Sequence, residues 1–272
     1  MRMPVIFAGH GDPMIALRED EITNTLTAVG QKVIENYGKP KAILAISAHW
    51  YTHGLGSLIQ NMENPPQIND MFGFPDELYN VHYFVKGSPE LSERVQNILG
   101  EQVKVDNDWG IDHGIWTIFV HMFPAGDIPI VEFSVDIDIT AEKTFEIGKK
   151  LAPLRDEGYL IFGSGNIVHN LREIEWDNPN GTEKTWAFNE FIIDAVKSKD
   201  IDKVLAYEKI PNVDYAFRTP EHYLPLIYCL GATDGDDATV FNNVCNLGSI
   251  AMTGFIFENK GGLSSFFKNI FR

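Results

Sequence analysis

The chain has 272 residues, enough for one large domain with a well-buried core, and no shift in composition divides it. A formal net charge of −16 and a pI near 4.8 exclude a binder of nucleic-acid phosphates, which needs clustered Lys and Arg, and favour neutral or cationic partners. Cys229 and Cys245 lack Cys-x-x-Cys spacing and are expected as buried free thiols of a cytoplasmic protein; residues 1–8 lack a signal-peptide core, and no run of about 18 apolar residues offers a membrane span.

Val5-Ile6-Phe7-Ala8 is an apolar run suited to a buried strand, and it passes into Gly9-His10-Gly11. Residues 20–37 carry Ile22, Leu26, Val29, Val33 and Ile34 at helical spacing and stop at Gly38-Lys39-Pro40. A second strand over 42–46 delivers Ser47-Ala48-His49-Trp50 just past its end. Residues 52–81 read as a long structured loop, with turn signals at Asn64-Pro65-Pro66 and Gly73-Phe74-Pro75. Loops of that length in a compact domain tend to be functional. A helix over 88–99, a short strand at Val103 and Val105, and an irregular stretch over 108–116 feeding a helix through Met122 come next.

The spacing then predicts a strand over 128–135 and a helix over 140–151. The apolar run from Tyr159 stops at Gly163-Ser164-Gly165, ahead of His169. Helices over 186–196 and 201–207 follow, then a helix start with Thr219 as cap and Pro220 at its first position. Strands over 238–241 and 250–257 close the chain. This alternation predicts an α/β fold: a single domain over 1–258, its central, largely parallel twisted sheet flanked by helices and its site at the C-terminal strand ends. Residues 259–272 form an amphipathic tail. Leu263, Phe266, Phe267, Ile270 and Phe271 are expected to pack on the domain or on a neighbouring subunit of a homo-oligomer, with a membrane-surface helix as the alternative.

Three strands thus each deliver a histidine, His10, His49 and His169, among glycines and serines. Imidazole suits Fe, Zn, Cu and Ni, so a metal site is the economical reading, although no His-Glu-x-x-His motif is present. Other chemistries fit less well. Ser164 lacks the Gly-x-Ser-x-Gly spacing of a nucleophile elbow, Gly163 and Gly165 do not complete a dinucleotide fingerprint, and residues 9–13 lack the Lys of a phosphate-binding loop. His53, His82 and His121 are read as ordinary surface or core residues, His53 being near enough to His49 to line a pocket. Trp50, Trp116 and Tyr223 serve equally as ring-packing walls or as core. Asp20, Asp70 and Glu77 are read as solvated carboxylates that could also accept an amino group.

Taken together, Gly9-His10-Gly11-Asp12-Pro13-Met14, Ser47-Ala48-His49-Trp50, Phe72-Gly73-Phe74-Pro75, Asp112-His113-Gly114, residues 165–170 and residues 219–225 resemble the class III extradiol ring-cleavage dioxygenases, in order from about residue 4 to about residue 257. The resemblance extends to the branch that acts on DOPA. It implies opening of a small catechol by O2 at Fe(II), with Zn(II) as a metal the isolated protein could carry. Carried over by motif, it implies His10, His49 and His222 as metal ligands, His169 as acid/base residue or fourth ligand, and His113 beside substrate and oxygen. His169 is then expected to titrate near neutrality, suited to taking a catechol proton. Glu221 competes with His222 as third ligand, since non-haem iron sites commonly include a carboxylate. Asp12, where many relatives carry Ser, would orient His10 or be solvated. A zinc hydrolase on a similar scaffold and a non-enzymatic binding protein are the alternatives.

Overall fold

The protein is described here as a computed structural model over residues 1–259. Beyond Asn259, the amphipathic tail lies outside the described residues. The strands are β1 (Val5–Gly9), β2 (Ile43–Thr52), β3 (Ser57–Ile59), β4 (Val103–Val105), β5 (Ile130–Asp136), β6 (Leu160–Gly165), β7 (Asp237–Phe241), β8 (Cys245–Asn246), β9 (Ile250–Ala251) and β10 (Gly254–Glu258). The helices are α1 (Glu21–Tyr37), α2 (Asp76–Tyr79), α3 (Pro89–Leu99), α4 (His113–Met122), α5 (Ala141–Leu151), α6 (Glu183–Lys197), α7 (Ile201–Leu205), α8 (Val213–Ala216) and α9 (Leu224–Ala232).

Side chains alternate across a strand, so one apolar run can feed two cores. Val5 and Phe7 of β1, Leu44 and Ile46 of β2 and Ile161 of β6 enter one core with α3, α5, α6 and α9. Ile6, Ala8, Ile43, Ala45, Leu160 and Phe162 enter the other with α1 and α4. Both faces of the central strands are covered, which is why these runs are continuously apolar rather than alternating with polar residues.

The sheet has eight strands in the order β4-β3-β5-β2-β6-β1-β10-β7. Its centre, β5-β2-β6-β1, is parallel throughout, whereas β10 and β7 add antiparallel to one edge and β3 pairs antiparallel with β5 near the other. The α/β expectation holds, with a mostly parallel sheet.

Helix starts follow the local chemistry. Asp20 and Thr23 form a reciprocal capping box on α1, Ser88 caps α3 ahead of Pro89, and the Thr140 hydroxyl caps α5. At Thr219 the backbone is at the cap position, but its hydroxyl makes no capping bond, and the residues after it form the 3-10 turn Pro220–His222 before α9 begins.

The structure corrects four boundaries. β2 does not stop at Ile46: it runs to Thr52, and its pairing with β5 jumps from Ser47–Ser134 to Tyr51–Val135, so residues 48–50 bulge out of the ladder. β6 likewise keeps Gly163, Ser164 and Gly165 in the strand, paired with β1. The region 52–81 contains β3 and α2; β3 is three residues long and exists through pairing with β4 and β5, a tertiary cause that no local periodicity reveals. Finally, the closing strand over 250–257 is split at Met252-Thr253 into β9 and β10.

Candidate metal centre

Five of the eight histidines meet at the carboxyl edge of the parallel strands. β1 ends at Gly9 and releases His10, the bulge of β2 presents His49, and the chain beyond β6 holds His169. Since β2, β6 and β1 are neighbours in the sheet, these imidazoles converge from adjacent strands. His113 opens α4, and His222 ends the 3-10 turn before α9.

The ring centroids of His10, His49 and His222 lie 4.9 Å (His10 to His49), 5.0 Å (His49 to His222) and 5.2 Å (His10 to His222) apart, a nearly equilateral triangle. His113 is 3.8 Å from His49, and His169 stacks on His222 at 3.6 Å with 4° between the ring planes. Nitrogens within 4.8 Å of one another form two overlapping groups, one of His10, His49 and His113 and one of His10, His169 and His222. His10 belongs to both.

Hydrogen bonds set which nitrogen of each ring faces the centre. The Ser164 hydroxyl donates to the Gly114 carbonyl, so towards His10 Nδ1, 2.9 Å away, it can only accept. Asp70 accepts from His113 Nδ1 at 2.9 Å, and its other oxygen faces His49 Nδ1 at an ion-pair distance of 3.2 Å. Glu221 faces His222 Nδ1 at 3.2 Å. In all four rings Nδ1 carries a hydrogen, and Nε2 of the neutral ring keeps its lone pair. His10 Nε2 and His49 Nε2 approach to 3.1 Å, and His222 Nε2 is buried with no partner among the described residues. A buried acceptor without a donor is costly unless a cation meets it. By donor chemistry these imidazoles fit a divalent metal of the iron or zinc type, although the nitrogens close enough to share one ion are those of His10 with His49 and His113 and of His10 with His169 and His222.

The electrostatics agree with that fit. Burial lowers His10, His113 and His222, and neighbouring imidazoles lower them further, which leaves them neutral at neutral pH as ligation requires. His49 is raised: burial would lower it, but the hydrogen bond to Asp70 and the charges of Asp112, Asp70 and Glu221 outweigh that. A proton on His49 can then bridge to His10 Nε2, and a metal would displace it. Burial would raise Asp70, yet the hydrogen bonds from His113 and His49 hold it well below the usual carboxylate range.

His169 differs from its expectation. Burial, then the His49 and His113 imidazoles, push it down to about 3 rather than near neutrality. It is neutral at neutral pH, with a lone pair present, and an anionic catecholate alongside would raise its proton affinity.

Among the other residues singled out, His53 is exposed and bonded to Asp138, His82 stacks on Phe84, and His121 bonds the Ile15 carbonyl; none of these three joins the cluster. Trp50, Trp116 and Tyr223 are core residues: Trp50 stacks on Trp109, Trp116 Nε1 donates to Ile68 O, and the Tyr223 hydroxyl donates to Val204 O. Asp12 does not reach His10; it caps the 3-10 turn Pro13–Leu17 and pairs with Arg18. Asp20 caps α1 and Glu77 is exposed on α2.

Three contributors escape the sequence reading. Asp70, read as solvated, is only 13% exposed in its side chain and holds two imidazoles. Ser164, set aside as a nucleophile, holds His10. Asn166, fully buried, ties three segments together: its N–H donates to His222 O, its Oδ1 accepts from Gly11 N, and its Nδ2 donates to Ala251 O. A signal for Asn166 was present in its place within residues 165–170; the role of Asp70 depends on a loop folding back on α4, which spacing does not carry.

Comparison with known proteins places these observations. Residues 4–257 match the family described as the catalytic LigB subunit of aromatic ring-opening dioxygenase. The 4,5-DOPA dioxygenase extradiol of Escherichia coli K12 is 40% identical over 264 residues, which are 92% of this chain and 93% of that protein. The enzyme of the same name from Beta vulgaris is 34% identical over 264 residues, 93% of this chain and 96% of its own. A crystal structure of an uncharacterized Escherichia coli K12 protein superposes with a TM-score of 0.81 at 35% identity, covering 94% of this chain and all of that one.

Proposed function

The chain belongs to the LigB family of aromatic ring-opening dioxygenases, and from that premise we propose that it opens a small, DOPA-like catechol beside one of its hydroxyls, at a metal held by Nε2 of His10, His49 and His222. The observation that carries the metal reading is His222 Nε2, buried and unpartnered while Nδ1 of the same ring is engaged by Glu221. That engagement also favours His222 over Glu221 as the third ligand.

Iron(II), when bound, supplies the redox-active centre at which catechol and O2 meet; zinc supplies Lewis acidity alone. The protein's own residues do the rest. Ser164, Asp70 and Glu221 keep the three Nε2 atoms turned inward. His169, half-buried and stacked on His222, has no side-chain hydrogen bond among the described residues, so its ring is free to take a proton from a catechol hydroxyl and return it to the opened product. His113 stands against His49, with ring centroids 3.8 Å apart, and would lie beside substrate and oxygen.

A carboxylate on the substrate has a partner available. Among the described residues Arg2, Arg18, Arg94 and Arg155 are paired with acids, whereas Arg172 and Arg218 are exposed and have no acidic partner. Both lie in the segments that deliver His169 and His222, and those segments are bridged at His169 and Phe217. Two unpaired guanidiniums there offset a net charge of −16 that would otherwise repel an anionic substrate.

Iron-loaded protein should consume oxygen and form a yellow ring-opened product from a catechol under air, and zinc-loaded protein should do neither. Verified iron loading with no oxygen uptake across a broad catechol panel would refute the proposal. Replacing Arg172 and Arg218 together by Ala should raise KM for DOPA roughly tenfold, the worth of one charge-assisted hydrogen bond, and leave KM for 4-methylcatechol unchanged.

A further inference from the structure

The segment ending at Asp70 is laid along the residues that open α4. Ile68 N donates to Ile111 O at 2.9 Å, Ile111 N donates to Pro66 O at 2.7 Å, and Trp116 Nε1 donates to Ile68 O at 3.1 Å. This brings Asp70 between two imidazoles that come from different elements, His49 on the β2 bulge and His113 on α4. Its two oxygens have unequal work. Oδ1 accepts both the His113 backbone N–H and His113 Nδ1–H, each at 2.9 Å, while Oδ2 stands at ion-pair distance from His49 Nδ1, 3.2 Å away.

We infer that Asp70 is a positioning residue that clamps His49 and His113 in the same tautomer, with Nε2 of both directed at the metal centre, and so couples the set of the ligand to the set of the substrate-side imidazole. A carboxylate suits this task because it accepts at both ends, whereas an amide accepts at one and donates at the other. Metal-bound imidazoles generally need such an acceptor on their second nitrogen, and its loss typically costs 10–100-fold in metal affinity. The same contacts fix the 66–70 segment, so a loop that looks independent in sequence is latched to the centre. The inference rests on the reading of His49 as a ligand.

The asymmetry of the two oxygens predicts which ring suffers in Asp70→Asn. The amide carbonyl should take the Oδ1 position, where two N–H groups need an acceptor. Its NH2 then faces His49 Nδ1, which can no longer keep its hydrogen there. Zinc is the probe, being diamagnetic. Histidine 15N NMR of the wild-type chain, metal-free and zinc-loaded, should show Nδ1 protonated in both rings. In Asp70→Asn the hydrogen-bonded Nδ1–H signal of His49 should vanish while that of His113 persists, and zinc affinity by chelator competition should fall roughly 10–100-fold.

A wild-type ring with Nδ1 unprotonated would overturn the clamp without reference to any variant, which covers the case of an Asp70→Asn chain that does not fold. So would a folded variant with both signals intact and zinc affinity within threefold of wild type. Failure of the wild-type chain to bind zinc at all would overturn the ligand reading, and the metal-free NMR result would still judge the clamp separately.

Discussion

Ser164 shows how a single hydroxyl can decide the tautomer of His10, one of the proposed ligands. It has one proton to give, and Gly114 O takes it, so His10 Nδ1 must be the donor in their contact. Ser164→Ala should therefore leave His10 free to adopt either tautomer and lower metal affinity by roughly tenfold or more, measurable by chelator competition. His169 should separate from this group. It makes no hydrogen bond that orients a ligand, so His169→Ala is expected to cut kcat by about 10²-fold or more while the iron content of the purified protein stays near wild type. Loss of iron together with turnover would instead make His169 a ligand.

At the level of elements, the centre depends on how closely the turn before α9 approaches β6. A Cβ on Gly165 would lie 2.2 Å from His222 O, so any side chain there must push that turn, and His222 with it, away from the strand. Gly30 of α1 provides a comparison remote from the cluster, where a Cβ would meet Met122 O of α4 at 1.9 Å. Each Gly→Ala change is expected to destabilise the fold by about 1–3 kcal/mol through overpacking. Only Gly165→Ala should also weaken metal binding, because only it moves His222, a proposed ligand. Thermal melts paired with metal analysis of the two variants check this; equal metal content in both would contradict it.

For the whole molecule, gathering five imidazoles in one buried place makes stability depend on pH. In the metal-free protein His10, His113, His169 and His222 are all lowered by burial. Below the ordinary histidine value of about 6.5 the unfolded chain binds protons there that the folded chain does not. Their contribution is therefore complete above that value and is lost as pH falls through it, at roughly 1.4 kcal/mol per pH unit for each such proton. His49, being raised, acts the other way and only above that value, where its contribution fades as pH rises through its folded pKa; below it both states are protonated and His49 offsets nothing. Urea midpoints of the metal-free chain should fall steadily from pH 7 to pH 5. A flat profile would mean that the histidines are not buried as the structure has them.

The order of the main strands and helices, and the histidines His10, His49 and His169 just past apolar runs, were readable along the chain from apolar periodicity and from small residues where a strand meets its site. His222, by contrast, came only with the family resemblance, and the cap expected at Thr219 makes no capping bond. The His169 ring environment, the roles of Asp70 and Ser164, and the strand β3 were not readable. They depend on which strands become neighbours and on a loop returning to α4, contacts made across long stretches of sequence. Sequence by itself determined which side chains were available for chemistry. Tertiary structure alone decided which nitrogen of each ring faces the centre, because a tautomer is chosen by the hydrogen-bond partner on the far side of the imidazole, and those partners arrive only with the folded chain.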